Sequence, residues 1–211
     1  MPTIEQARSW YPESDPVHGF DHVLRVYAMA ERLGQAEGAD LEIVRAAALL
    51  HDVEGSLPGG DNRPNHHHQS ADFAAQVLTA EGWPAERIAA VQHCIRAHRY
   101  RSDGERPQTL EARVLFDADK LDVLGAVGAA RTIAYAVLAG TPIHTTPSPR
   151  FLAQGVEEPG ELHSAYHEYL FKLRNVKNRL HTPSARAIAA QRDEALREFF
   201  EQLDAEMRGE R

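Results

Sequence analysis

The chain has 211 residues, of which 43% are hydrophobic and 26% are charged, an ordinary composition for a soluble globular protein. A single domain over residues 1–211 is expected, since this length supports a substantial core. The formal net charge of −8 argues against a broad nucleic-acid surface, which needs an excess of Lys and Arg. A small phosphorylated ligand needs only a local cluster of positive charge and is compatible with this balance.

Cysteine usage and hydropathy indicate the compartment. The single cysteine, Cys94, excludes an internal disulfide and suits a reducing environment. Residues 1–14 lack the basic stretch and apolar core of a signal peptide. The most apolar segment, residues 122–140, contains Asp122 and Arg131 and is typical of a packed helix rather than a membrane span. We expect a cytoplasmic protein with no membrane partner, present as a monomer or a homodimer.

Helical patterns follow one another along the chain. Apolar residues recur at helical spacing, and capping or helix-stopping residues stand at the ends, such as Asp40 before the second pattern. The predicted helices cover residues 20–38, 40–52, 70–82, 84–98, 109–140, 161–180 and 182–207. Segment 109–140 is predicted as one long or broken helix. No strand-like alternation occurs, so the predicted class is all-α, with residues 161–208 packing on a helical bundle.

Histidine is unevenly distributed. The chain has twelve histidines, and eight of them fall between His18 and His98. Two long polar segments, residues 54–68 and 99–108, lie in or beside this region, and loops of this length are often binding loops or lids. The uneven density indicates a metal site.

Three ionisable residues lie on core-facing stripes of three different predicted helices: His22, His51 and Asp119. For any one of them alone, a hydrogen-bonded core residue is the simpler interpretation. A buried carboxylate must be paired, hydrogen-bonded or metal-bound, because leaving it unpaired costs several kcal/mol. With Asp52, which follows His51, the set has two imidazoles and two carboxylates. One divalent ion would satisfy all four.

The ordered pattern of His22, His51-Asp52 and Asp119 resembles the HD-domain superfamily of metal-dependent phosphohydrolases. "HVLRVYAMA" is similar to the family's H-x-x-R-V helix and "ALLHD" to its HD helix. "DADKLD" followed by "LGAVGAAR" is similar to the Asp-bearing helix of a bacterial subfamily of HD-domain nucleotide pyrophosphohydrolases. "HEYLFKLRNVKNRLHTPSARAIAAQRDEALREFF" resembles that subfamily's closing helices. The resemblance covers roughly residues 18–208.

The resemblance implies an HD-type helical bundle with a divalent metal held by His22, His51, Asp52 and Asp119. Two imidazoles and two carboxylates suit Mn, Fe, Co, Ni, Zn or Mg and leave open positions on a six-coordinate ion. An alternative adds a second metal, with Asp52 as the bridge. Its further ligands would come from a second set of histidines: His66, His67, His68, His93 and His98.

The resemblance also implies catalytic and substrate-binding roles. His67 and His98 are expected to hold a phosphate or orient the water, whereas His66 is also compatible with a solvated loop. The predicted substrate-binding residues are Arg25, His68, His93, Arg99, Lys120 and Arg131. For any one of these cations, a surface or salt-bridge role is at least as plausible. Many relatives place a lysine soon after the HD pair, where this chain has Glu54 and then Arg63.

The expected activity is hydrolysis of a phosphoanhydride in a nucleoside triphosphate, through a metal-activated water. The close alternative is a phosphomonoesterase acting on nucleoside monophosphates. An alternative of another class is a non-catalytic HD module that binds metal or nucleotide as a regulator. The intact set of four ligands favours an enzyme, since a site that had lost its activity would tolerate losing one of them.

Overall fold

The computed structural model describes residues 1–11, 19–54, 65–99 and 105–211, and every regular element in these ranges is helical. The all-α prediction is confirmed. The α-helices are α1 (Ile4–Arg8), α2 (Phe20–Glu37), α3 (Leu41–Leu50), α4 (His66–Ala80), α5 (Ala85–Ala97), α6 (Leu110–Leu121), α7 (Gly125–Leu138), α8 (Pro149–Gln154), α9 (Ala165–Glu168), α10 (Arg174–Val176) and α11 (Pro183–Met207). A π-helical turn at Tyr169–Leu173 precedes α10, and a 3-10 turn at Lys177–Arg179 follows it.

The chain divides into two compact units. The first comprises residues 1–122 and 180–185, and the second comprises residues 123–179 and 186–211. The single domain over residues 1–211 stays a prediction. Within the described ranges, no single helix is long and apolar enough to cross a membrane.

In the first unit, α2 packs against α3 and α6, while α5 packs against α3, α4 and α6. The contacts are made by fully buried aliphatic side chains, among them Val26, Leu33, Val44, Leu49, Ile95 and Leu115. Burying a side chain of this size contributes about 1.5–3 kcal/mol. The helix ends that carry polar residues are therefore attached to a well-packed frame.

Side-chain caps define where two of these helices begin. Asp40 accepts hydrogen bonds from the backbone N–H groups of Glu42 and Ile43 at the start of α3, as the sequence predicted. Thr109 accepts from the N–H of Ala112 at the start of α6. Both caps satisfy backbone donors that have no partner inside the helix.

The boundaries of several helices differ from those predicted. α4 begins at His66, four residues before the predicted start, so the three consecutive histidines belong to its first turn. The predicted segment 109–140 is broken, because Leu124 is extended and Gly125 has a left-handed φ of 71°. The segment between the predicted helices 109–140 and 161–180 contains α8, which Ser148 caps and Pro149 begins.

The second unit has its own buried polar network, around His167. The hydroxyl of Ser164 lies 2.8 Å from Nδ1 of this ring, and Oε1 of Glu161 lies 3.0 Å from Nε2. Nearby, the rings of Tyr169 and Phe200 stack with centroids 4.5 Å apart. His167 is thus a buried histidine whose two ring nitrogens both have hydrogen-bond partners.

Candidate metal centre

Two histidines of the first unit occupy the C-cap positions of their helices. His51 follows the last residue of α3, and His98 follows the last residue of α5. Nδ1 of His51 lies 2.8 Å from the carbonyl oxygen of Ala48, and Nδ1 of His98 lies 2.5 Å from that of Ile95. A carbonyl only accepts, so each ring in its neutral form carries the proton on Nδ1 and presents a lone pair on Nε2.

A residue outside α3 also stabilises the C-terminal end of this helix. The buried hydroxyl of Tyr11 donates a 2.9 Å hydrogen bond to the carbonyl of Leu49, in the last turn of the helix. This carbonyl would otherwise lack a partner, because the last four C=O groups of a helix have none within it. Tyr11 was not among the residues singled out from the sequence, and no local pattern marks it.

One group of ligand atoms forms around Nε2 of His22. Oδ1 of Asp119 lies 3.5 Å from it and Oδ2 of Asp52 lies 3.8 Å from it. The same Oδ2 lies 3.5 Å from Nε2 of His51. Single ligand atoms of His22, His51 and Asp119 all lie within 4.8 Å of one another. The structure therefore brings all four predicted metal ligands to one place.

The other oxygen of Asp52 faces a second group. Oδ1 lies 3.4 Å from Nε2 of His98 and 3.6 Å from Nε2 of His66. Ligand atoms of these three residues also lie within 4.8 Å of one another. His66 reaches this position because α4 begins earlier than predicted.

Two acceptor atoms of these groups are suited to binding a cation. Within the described part of the chain, His51 Nε2 and Asp52 Oδ1 are buried and have no hydrogen-bond partner. An unsatisfied buried acceptor costs about 1–3 kcal/mol. A divalent ion beside these lone pairs would remove that cost, and both imidazole and carboxylate are donors that such ions accept.

Burial and neighbouring charges set the protonation states of the same side chains. Burial lowers the pKa of His51 to about 4, so its ring is neutral at neutral pH. Burial raises the pKa of Asp52, but the nearby rings of His51 and His98 outweigh it and hold this pKa well below its usual range. Burial opposes ionisation of Asp119 too, yet Lys120 and His22 lower its pKa overall. Neutral imidazole and ionised carboxylate are the forms that bind metal.

Comparison with known proteins identifies this arrangement. The family model of the HD domain matches residues 19–124, which include all four residues of the first group and the second group as well. The chain belongs to the HD-domain superfamily.

One relative of this HD-domain chain aligns over nearly its whole length. This chain is 30% identical to the YpgQ protein of Bacillus subtilis (strain 168) over 213 aligned residues, covering 97% of this chain and 94% of YpgQ. A crystal structure of YpgQ in complex with ADP superposes with a TM-score of 0.73 at 30% identity, covering 99% of this chain and 100% of that chain.

Two further solved structures agree in fold. A protein of Lactobacillus plantarum gives a TM-score of 0.77 at 27% identity, covering 99% of this chain and 100% of its own. An HD-superfamily hydrolase of Bacillus thuringiensis gives 0.69 at 26% identity, covering 97% and 96%. These likenesses support a hydrolase.

Three predicted residues lie beside the two groups of this HD centre. Nζ of Lys120 lies 2.5 Å from Oδ2 of Asp119, the oxygen that faces away from His22. His67 is 5% exposed, its Nδ1 has no hydrogen-bond partner among described residues, and burial together with His68 lowers its pKa to about 4. Arg99, half-buried, is close enough to His67 to contribute to that lowering.

Other predicted substrate residues lie elsewhere or have other contacts. His93 pairs with Glu105 at 2.5 Å and accepts a hydrogen bond from the N–H of Gln108. His68 is exposed, with its ring centroid 4.2 Å from that of His67. Arg131 belongs to α7 in the second unit and stays a prediction. Arg63, discussed as a replacement for the missing lysine, lies outside the described residues.

The three aspartates of "DADKLD" have three different surroundings. Asp119 faces Nε2 of His22. Asp117 is fully buried and accepts hydrogen bonds from the N–H groups of His181 and Thr182 and from the Thr182 hydroxyl. Asp122 contacts His22 and Arg25. Asp119 is the ligand predicted from this run, and the structure gives each of the three aspartates separate partners.

Proposed function

We propose that this protein is a metal-dependent phosphohydrolase that acts on a nucleotide, and that it cleaves a phosphoanhydride of a nucleoside triphosphate with release of pyrophosphate. The observation that carries the proposal is the convergence of His22, His51, Asp52 and Asp119, in which His51 Nε2 and Asp52 Oδ1 are buried without a hydrogen-bond partner among the described residues. Such buried acceptors are costly unless a ligand satisfies them.

A divalent ion would be held by these four residues, and when bound it lowers the pKa of a water and neutralises charge on a phosphate oxygen. The donor set is compatible with Mn, Fe, Co, Ni, Zn or Mg. Around it, the helix ends position the ligands before any ion arrives. The Nδ1–H of His51 donates to the carbonyl of Ala48 in its own helix and so restrains rotation of the ring. Little further ordering of this side chain is needed when an ion binds.

A second metal is supported by the two-sided contact of Asp52. Oδ2 faces His22 and His51, while Oδ1 faces His66 and His98. Asp52 would therefore be able to contribute one oxygen to each group. We therefore extend the proposed centre to two adjacent sites, of which the first has the four ligands predicted from the sequence.

The substrate side of the centre is cationic and contains a neutral histidine. The low pKa of His67 leaves its ring neutral, so it offers hydrogen bonds rather than charge to a phosphate or a water. Arg99 and Lys120 supply the charge, and a guanidinium suits phosphate oxygens because its donors form a fork. The full chain length over which the ADP-bound structure of YpgQ aligns supports a nucleotide as the ligand.

The test is a panel of nucleoside tri-, di- and monophosphates incubated with Mn²⁺-loaded protein, with phosphate and pyrophosphate measured separately. Monophosphate together with pyrophosphate from a triphosphate supports the proposal. Phosphate released from nucleoside monophosphates alone would establish the phosphomonoesterase instead. Nucleotide binding without turnover, under each metal named above, would establish a regulatory module. His51→Ala should abolish turnover, while His163→Ala, in the second unit, serves as the matched control.

A further inference from the structure

Asp122 connects two residues of α2 from the C-terminal end of α6. Its Oδ2 lies 2.7 Å from Nδ1 of His22. Arg25 donates from Nε to Oδ1 at 2.8 Å and from Nη2 to Oδ2 at 3.1 Å. Because the guanidinium favours the ionised carboxylate and an ionised carboxylate only accepts, the His22 proton lies on Nδ1 and leaves Nε2 for the metal.

His22 needs such a partner because of its place in its helix. His51 and His98 cap the ends of helices, where free carbonyls are available for Nδ1–H. His22 lies in the first turn of α2, where the unpaired backbone groups are N–H donors and not acceptors. Its ring therefore has no acceptor from its own helix end, and the acceptor comes from α6.

One helix thus contacts both nitrogens of the ring. Asp119 and Asp122 are three residues apart and share a face of α6. Oδ1 of Asp119 lies 3.5 Å from Nε2 of His22, and Oδ2 of Asp122 lies 2.7 Å from Nδ1. Both carboxylates are at most 8% exposed as residues, so water competes little with either contact.

We propose that Asp122 is a positioning residue that fixes the tautomer and the direction of the His22 ring, with Arg25 as its anchor. Arg25, predicted from the sequence to bind substrate, instead donates hydrogen bonds from two nitrogens to Asp122. Its remaining terminal nitrogen, Nη1, donates to Asp21 at 2.6 Å. The consequence for metal rests on the proposed function, whereas the tautomer is a property of the metal-free chain.

The size of the effect follows from known metal sites. Carboxylates that accept a hydrogen bond from a ligating histidine typically contribute 10- to 100-fold to metal affinity, by orientation and by ligand basicity. We expect Asp122→Ala to weaken Mn²⁺ binding by about that factor. Asp122→Asn keeps an accepting oxygen and should retain most of the affinity, which a defect of packing alone would not predict.

The experiment has two readouts on the same variants. Long-range ¹H–¹⁵N spectra of the EDTA-treated protein report the His22 tautomer, with the His22 signals assigned by their loss in His22→Gln. Titration with Mn²⁺ reports affinity. Wild type and Asp122→Asn should show the Nδ1–H form, Asp122→Ala should show a mixture or the other tautomer, and Arg25→Gln should fall between. Arg87→Gln, which breaks a comparable pair with Asp40, is the matched control and should resemble wild type.

An Asp122→Ala protein with the wild-type tautomer and unchanged Mn²⁺ affinity would overturn the inference. If Asp122→Ala does not fold, Arg25→Gln and Asp122→Asn decide it: a tautomer unchanged in Arg25→Gln, with unchanged Mn²⁺ affinity, argues against the anchor. Failure of the proposed function is a separate result. A wild-type chain that binds no Mn²⁺ would remove the metal centre, and the tautomer measurements would still decide the role of Asp122.

Discussion

Nε2 of His98 lies 3.4 Å from Oδ1 of Asp52, although the two residues follow the ends of different helices. Asp52 turns its other oxygen toward His51, so one carboxylate belongs to two groups of ligands. This arrangement makes the number of bound metals a measurable consequence of single side chains.

The number of metal ions bound per chain should fall from two to one when a histidine of the second group is removed. His66→Ala or His98→Ala removes a ligand beside Oδ1 of Asp52 and leaves His22, His51 and Asp119 in place. Elemental analysis after dialysis against Mn²⁺ measures the ratio of metal to chain. His93→Ala is the control, because its ring pairs with Glu105. One equivalent in wild type and in all three variants would restrict the centre to a single metal.

Two aspartates of α6 should fail in different ways when replaced. Asp119→Ala should abolish turnover, since it removes a ligand. Asp117→Ala should leave the metal stoichiometry unchanged but lower the free energy of unfolding by about 1–3 kcal/mol, because buried N–H groups of His181 and Thr182 lose their acceptor. Urea unfolding and turnover per folded molecule separate the two. Near-native turnover of metal-loaded Asp119→Ala would exclude it as a ligand.

The pH dependence of stability in EDTA should carry the signature of His51. Its pKa is about 4 in the fold and 6.5 as the ordinary value, so the unfolded chain binds the extra proton between these limits. Stability contributed by the neutral ring is complete above pH 6.5 and is lost as pH falls toward 4. The loss is about 3 kcal/mol at most. His51→Gln should flatten the unfolding free energy in this window.

His98 should act in the opposite sense and at higher pH. Burial lowers its pKa, but the nearby Asp52 carboxylate outweighs burial and raises it above the ordinary value, because it stabilises the protonated ring. Its contribution is present below pH 6.5 and is lost as pH rises through the folded pKa. His98→Gln should therefore alter the pH dependence of the unfolding free energy above pH 6.5. Between pH 4 and 6.5, where His51 titrates, it should leave that dependence unchanged. Identical effects of the two variants on both sides of pH 6.5 would contradict these assignments.

Arg99 should matter for substrate and not for metal. Neutralising a charge-assisted contact to phosphate costs about 1.5–3 kcal/mol, or roughly ten- to a hundredfold in kcat/KM. Arg99→Gln should lower kcat/KM more for a triphosphate than for a monophosphate, since more oxygens lose a partner. Arg96→Gln is the matched control, because Arg96 pairs with Glu105. Unchanged kinetics for Arg99→Gln with every nucleotide would remove it from the substrate site.

The helices and the four proposed metal ligands could be predicted from the sequence because both depend on local chemistry. Apolar spacing determines which face of a helix is buried, and His22, His51 and Asp119 lie on such faces. The order H…HD…D adds the family. Boundaries were less predictable: the start of α4 at His66 has no side-chain cap to mark it, so the three histidines resembled a loop.

Tertiary structure decided which partner each polar atom finds. His22 and Asp122 are 100 positions apart, and Arg25 and Asp122 are 97 apart, so no helical period relates them. Arg25 resembled a phosphate ligand from its place one turn after His22, yet two nitrogens of its guanidinium meet a carboxylate from α6. Asp52 could be proposed as a ligand because it follows His51. That its second oxygen faces His66 and His98 depends on where α4 begins and where α5 ends. The physical reason is that helix faces follow from residues a turn apart, whereas buried hydrogen-bond partners are chosen by the packing of whole helices.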